Sequence, residues 1–226
     1  MDLVFLTIFA FIAGFIDSVV GGGGLIQMPA FFIFFPELPV ATVYGSNKFA
    51  AFSGTSVAAF RYVKNTRIPW DAVMPALVTA FIFSILGASV VSLINKEVIK
   101  PIVLCLLIAV AVYTFTKKEF GLHHVPKLDK NKTLIYSLLT GAALGFYDGF
   151  FGPGTGSFLI MIFISLFGFN FLVGSASAKL VNCATNISAL AFFIYMGQVR
   201  YDIAIPIALS NMAGSWIGAR MAIKKG

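Results

Sequence analysis

Charge is scarce in this chain of 226 residues. Only 11% of positions are Asp, Glu, Lys or Arg, 59% are hydrophobic, and the mean hydropathy is +0.93. Soluble domains run at about 25% charged and about 45–50% apolar, so the composition excludes an ordinary soluble domain and places the chain among membrane proteins. Cysteine is nearly absent. Cys105 and Cys183 each lie alone in an apolar stretch with no CxxC pair, which excludes a disulfide framework and a thiol relay and argues against an electron carrier. A phosphate-cradling motif is missing too: the glycine run at 21–24 lacks the Gly-Lys-Ser/Thr ending of a P-loop, which argues against direct use of ATP. No Ser/His/Asp arrangement suggests hydrolysis, so the chain reads as no enzyme and no cofactor is expected. His123 and His124 sit in a charged, solvated loop, and no metal site is read there. No Lys or Arg precedes the first apolar run, which argues against a cleavable signal peptide. The net charge of +7 raises the question of nucleic acid. The basic residues, however, lie almost entirely in short loops between apolar runs, where they report membrane orientation, and no nucleic-acid partner is expected.

What the sequence does contain is apolar runs, over 3–35, 40–60, 72–93, 98–115, 134–167, 171–196 and 203–223. Several match the roughly 20 residues that a spanning helix needs. The expected fold class is therefore all-α, a polytopic transmembrane helix bundle. Two runs, 3–35 and 134–167, have the wrong length. A single helix of that size would be about 50 Å long, and two full spans would need about 40 residues. Each run carries glycines at its middle, Gly21 to Gly24 in one and Gly152-Pro153-Gly154-Thr155-Gly156 in the other. Glycine, and proline inside a helix, interrupt regular helix. Each run is thus read as two helical pieces joined by a turn, which is tolerated at membrane depth only where protein or a water-filled cavity covers it.

Laid over itself with Gly14 on Gly145, the sequence matches without a gap. Phe15 and Asp17 then fall on Phe146 and Asp148; Gly21 and Gly23 on Gly152 and Gly154; Ser46 and Lys48 on Ser177 and Lys179. Asp71 and Pro75 fall on Asp202 and Pro206, and Ser84, Gly87 and Ala88 on Ser215, Gly218 and Ala219. The reading is two homologous transmembrane repeats, 1–116 and 134–226, joined by a charged linker loop at 117–133. A counterpart of 98–115 would begin near position 229, past the last residue, so the second repeat is expected to lack its final helix. Paired broken helices at corresponding places in two halves point to a transporter's binding site; the competing reading is a duplication whose glycines serve only close helix packing.

Lys48 and Lys179 are the leading side chains. Each lies well inside an apolar run, where a charge near mid-bilayer costs at least about 2.5–3.5 kcal/mol. They are read as cationic anchors for an oxyanion, against structural ion pairs with Asp17 or Asp148. Asp17 and Asp148 precede the glycine turns by four residues and are read as carriers of a coupling proton, with capping of the helix break as the equal alternative. Backbone N–H groups at a helix N-terminus bind anions, which brings in Gly22, Gly23 and Gly24 in the first turn and Gly154, Thr155, Gly156 and Ser157 in the second. Asn47 and Asn182 add polar groups beside the lysines. Asn186 is assigned to interhelical hydrogen bonding.

Ala13-Gly14-Phe15-Ile16-Asp17 running into Gly21 to Gly24 and Pro29, then Gly45-Ser46-Asn47-Lys48, then Tyr62 to Trp70-Asp71, resembles the TauE/SafE family of sulfite exporters and related permeases. The second half, from Gly145-Phe146-Tyr147-Asp148 through Gly156-Ser157-Phe158, is similar to that family's second repeat. The resemblance implies a two-repeat, usually eight-helix permease of the inner cell membrane, moving sulfite, sulfonates or other organosulfur anions. The function expected is secondary active transport of a small anion, with the substrate and the lipid bilayer as partners and a homo-oligomer left open. A passive channel would instead show transport without gradient coupling. A membrane scaffold or assembly factor would show a dry, packed centre with no cavity.

Orientation depends on parity. With one crossing per broken run, loops 61–71, 116–133 and 197–202 share a side and hold nine basic residues against five, which places them in the cytoplasm. Arg220, Lys224 and Lys225 then fall on the other side. Two crossings or none per run gives a different parity, and the same parity decides between parallel and inverted repeats.

Overall fold

The computed structural model describes residues 1–93, 105, 108 and 128–225. The apolar run at 98–115, apart from Cys105 and Ile108, His123 and His124 and most of the linker lie outside the described residues. Among those described, all regular structure is helical: α1 Asp2–Val20, α2 Gly24–Phe34, α3 Val40–Asn65, α4 Trp70–Leu93, α5 Lys130–Phe150, α6 Thr155–Ser165, α7 Phe171–Tyr195 and α8 Tyr201–Lys225. Three helices are long and apolar enough to cross a membrane: α1, the stretch Trp70–Ser92 of α4, and α7. The 11-residue helices α2 and α6 reach only about 16 Å, half of a bilayer core. Both long runs are thus broken where their glycines stand. In the alignment that sets Gly14 on Gly145, α6 has the same bounds as α2, and α7 and α8 start where α3 and α4 do.

Local chemistry sets the helix ends. Asp129 caps α5, accepting from the Lys132 amide at 2.9 Å, and this bond holds its carboxyl below the usual carboxylate range. Residues 130–133, read from sequence as the end of the linker, are therefore the first turn of α5. Asn170 caps α7 in the same way, through the Val173 amide at 2.9 Å.

The halves are interlocked. The most extensive pairings are α4 with α5 and α1 with α8, each half's first helix lying along the other half's last described one. Small residues permit the approach. Gly141, Gly145 and Gly149 of α5 face the backbone of Ala76, Ala80 and Ser84 of α4. Gly214 and Gly218 of α8 face that of Phe11 and Phe15 of α1.

Contacts also fix direction. Ser210 bonds Thr7 and Ser215 bonds Gly14, so α8 runs with α1; the three glycine contacts above make α5 run with α4. Thr42, at the start of α3, bonds Gln198 at 2.8 Å just before α8, and Arg61 stacks on Trp216 near the other end of both. The starts of α1, α3 and α8 therefore share one end, and those of α4, α5 and α7 share the other. Corresponding helices of the halves run in opposite senses, and each broken pair returns to the end where it began. Loops 61–71 and 197–202 lie at opposite ends, which corrects the one-crossing count. Among the described residues Arg61, Lys64, Arg67, Lys130, Lys132, Arg220 and Lys224 gather at one end, while Arg200 is at the other with Asp2, Glu37 and Asp202.

Candidate functional site

The two glycine turns meet between the helices. Gly21 and Gly22 take φ of 77° and 83°, and Gly152 and Gly154 take 89° and 86°, values that only glycine adopts at no steric cost. A Cβ on Gly21 would run into the backbone of Gly156 and Ser157, and one on Gly24 would lie 3.0 Å from Pro153 Cα. Ser157 Oγ donates to the Val20 carbonyl at 3.1 Å, lacing one turn to the other. Thr155 Oγ1 donates to the Gly152 carbonyl at 2.7 Å. Most of the first N–H groups of α2 and α6 are taken by carbonyls of the turns themselves, Leu25 by Gly22, Ile26 and Gln27 by Gly23, and Thr155 by Gly152.

Both lysines are paired with carboxylates, each across the halves. Lys48 Nζ of α3 lies 2.6 Å from Asp148 Oδ2 of α5 and donates to Asn186 Oδ1 at 3.0 Å. Lys179 Nζ of α7 lies 2.7 Å from Asp17 Oδ2 and also donates to the Asp17 carbonyl. The pairs differ in access. Asp148 and Lys48 side chains are 2% and 4% exposed and Lys179 is fully enclosed, whereas Asp17 is 19% exposed. Asp17 Oδ1 further accepts from the Gly23 amide at 3.3 Å, so it also caps the break. The ion pairs weighed against free cationic anchors are what the geometry contains, and Lys179 has no surface left for a ligand.

A polar cavity of about 40 Å³ lies beside these pairs. Of the residues singled out in the sequence, Asp17, Gly22, Gly23, Gly24, Asn47, Lys48, Asp148, Gly154, Gly156 and Asn182 line it. Lys179, Thr155 and Ser157 do not; the lysine is spent on Asp17, and the two hydroxyls are spent on turn carbonyls. Asn186 does line it, besides bonding Lys48 and donating to Asn182 Oδ1 at 3.3 Å. Sequence reading missed Gln27, Thr55 and Asn211. Asn211 Nδ2 of α8 donates to Gln27 Oε1 of α2 at 2.8 Å. Gln27 is 2% exposed, yet its Nε2 is without a partner, as is Asn47 Oδ1. The signal for Gln27 and Asn211 was available, since each is an isolated amide in a strongly apolar helix, Gln27 three residues past the first turn. Both fall where the other half has an apolar residue, so the duplication drew no attention to them.

An all-helical membrane protein whose two broken helices meet at paired buried charges is a recognisable class. The chain belongs to the family described as Sulfite exporter TauE/SafE, a family of membrane transporters, which matches residues 6–226. It is 34% identical to "Probable membrane transporter protein ORF9" of Sinorhizobium sp over 99% of this chain and 84% of that one. It is 32% identical to a "Probable membrane transporter protein" of Haemophilus influenzae over 99% and 86%. To "Probable membrane transporter protein YfcA" of Escherichia coli K12 it is 31% identical over 96% and 79%. No solved structure matches the chain.

Proposed function

We propose that this protein is a multi-pass permease of the inner cell membrane that moves a small anion, a sulfur oxyanion or small sulfonate, by secondary active transport through the junction of the glycine turns. The observation that carries the reading is the polar cavity itself, lined by Lys48 and the turn glycines and holding an unpartnered Gln27 amide. A scaffold has no need of it. The volume of about 40 Å³ suits about three water-sized groups, the scale of an oxyanion and not of a long organic chain. Gln27 Nε2 and the Lys48 ammonium supply donors suited to anionic oxygen. The sulfur content rests on the family's description.

Lys48 with Asp148 and Lys179 with Asp17 sum to zero charge, so an arriving anion meets a neutral site. A proton carried with the anion would keep that balance, and Asp17 at the cavity's edge is the carboxylate best placed to take it. The helices reversed between the halves fit an inverted repeat, in which rocking about the central site opens it to either side. The end holding Arg61, Lys64, Arg67, Arg220 and Lys224 then faces the cytoplasm.

The test is uptake of labelled sulfite, sulfate, thiosulfate and simple sulfonates into liposomes holding the purified protein, with and without a pH gradient. A Lys48→Met/Asp148→Asn variant, which removes the pair together, runs alongside. Gradient-dependent uptake of one anion, lost in the variant, is expected. Folded wild-type protein that carries none of them refutes the substrate class, full uptake by the variant refutes the role of Lys48, and uptake indifferent to the gradient identifies a channel.

A further inference from the structure

Away from the central cavity, α3 and α8 leave a groove of about 680 Å³ on the bundle's outer face. Its walls change character along its length. Toward mid-bilayer it is apolar, with half-buried Phe52 and Val57 facing Met212. The two serines there present no free donor, since Ser53 Oγ bonds the Phe49 carbonyl at 2.8 Å and Ser56 Oγ that of Phe52 at 2.7 Å. At the basic end the groove is cationic and aromatic. The Arg61 guanidinium lies 4.1 Å from the centre of the Trp216 ring, and Arg220 approaches the same ring at 5.7 Å. Lys64 Nζ sits 4.2 Å from the Phe60 ring. Among the described residues no carboxylate pairs with Arg61, Lys64 or Arg220, and no acidic side chain lines the groove.

We propose that this groove is a binding site for an anionic phospholipid of the basic-end leaflet, its phosphate among Arg61, Lys64 and Arg220 and one acyl chain along Phe52, Val57 and Met212. Polarity, length and charge run in the order that such a lipid presents them, headgroup at the membrane surface and tail inward. Arg and Trp at the interface anchor a protein at that level, and basic pockets between helices on the cytoplasmic side select anionic headgroups. A second chain seated here would bury three cations against a partner whose matching end is equally basic, so lipid is the occupant that the charge favours. The site shares no residue with the central cavity and stands whatever the transported substrate is.

Native mass spectrometry of the purified full chain tests it, with phosphatidylglycerol or phosphatidylcholine of identical acyl chains. Phosphatidylglycerol adducts are expected to persist at roughly tenfold lower lipid concentration, on the scale of a few basic contacts. Arg61→Gln/Lys64→Gln/Arg220→Gln brings phosphatidylglycerol down to the phosphatidylcholine level. Val57→Trp, which fills the apolar half, weakens both lipids. Equal binding of the two lipids by the native protein, an unchanged preference in the triple variant, displacement by free glycerol phosphate, or a two-chain species that Val57→Trp abolishes would each overturn the proposal.

Discussion

Replacing Lys48 by methionine leaves the Asp148 carboxylate facing an apolar side chain at 2% exposure. Breaking one partner out of a buried ion pair costs about 3–5 kcal/mol. Asn186 Oδ1, 3.0 Å from the ammonium, loses its donor as well, a further cost of about 1–3 kcal/mol. At about 2–4 °C per kcal/mol for a chain of this size, thermal unfolding in detergent should shift down by on the order of 10 °C. The second substitution, Asp148→Asn, removes the stranded charge and supplies an amide that can donate to Asn186. The double variant should recover to within about 1 kcal/mol of the parent, because a buried pair replaced as a unit is often neutral. The Lys179→Met variant is the internal comparison. Its orphan, Asp17, has 19% exposure and keeps the Gly23 amide, so its loss should be about half as large. A shift for Lys48→Met of under about 2 °C, or a double variant less stable than the single, would refute the reasoning that these pairs hold the centre together.

The turns and packing give further tests. Gly21→Ala should cost far more than Gly197→Ala, because both sit at positive φ but only the first would drive a Cβ into neighbouring backbone; the second should cost only the local strain of about 1–2 kcal/mol, read by the same thermal scans. Gly145→Leu should separate α4 from α5, where even a Cβ would sit 2.6 Å from Ala80 Cα, and should abolish recovery of monodisperse protein. Gln27→Leu removes the unpartnered donor and should raise the KM for anion uptake about tenfold, and because it also strands the Asn211 amide that Gln27 Oε1 accepts from it should lower stability by about 1–3 kcal/mol. On intact cells, an impermeant thiol reagent should label Glu37→Cys and spare Arg67→Cys; the reverse pattern would overturn the assigned orientation.

The all-helical class, the two breaks and the buried lysines were legible because each is a one-dimensional signal: apolar run length, glycine position, a charge where none is tolerated. The pairing of those charges was not. Asp17 is much nearer to Lys48 along the chain than Asp148 is, yet Lys48 takes Asp148 and Asn186 while Asp17 is taken by Lys179 of α7. Periodicity carries no record of which helix faces which. Orientation failed for the same reason. The loops' charges are plain in the sequence, but their side depends on whether a broken run crosses or returns, and it is the bonds from Thr42 to Gln198 and from Arg200 to Ser46 that put the start of α3 next to the start of α8.

The sequence's match to itself explains the frame better than it explains the site. Position for position it yields two turns and two ion pairs, yet the cavity admits Lys48 and excludes Lys179, and exposes Asp17 while enclosing Asp148. The asymmetry follows from residues that the halves do not share. Gln27 and Asn211 stand opposite Phe158 and Ala80 in the offset alignment, and Thr55 stands opposite Asn186. Polar side chains occupy one flank of the junction where alanine and phenylalanine fill its counterpart, and the unpartnered Gln27 donor lies on that flank. Under the proposed transport function, halves of opposite sense would supply two ways of opening. The residues that break their symmetry then determine what is held between them, which makes Gln27, Asn211 and Asn47, more than the matched lysines, the positions at which substrate choice should change between relatives of this chain.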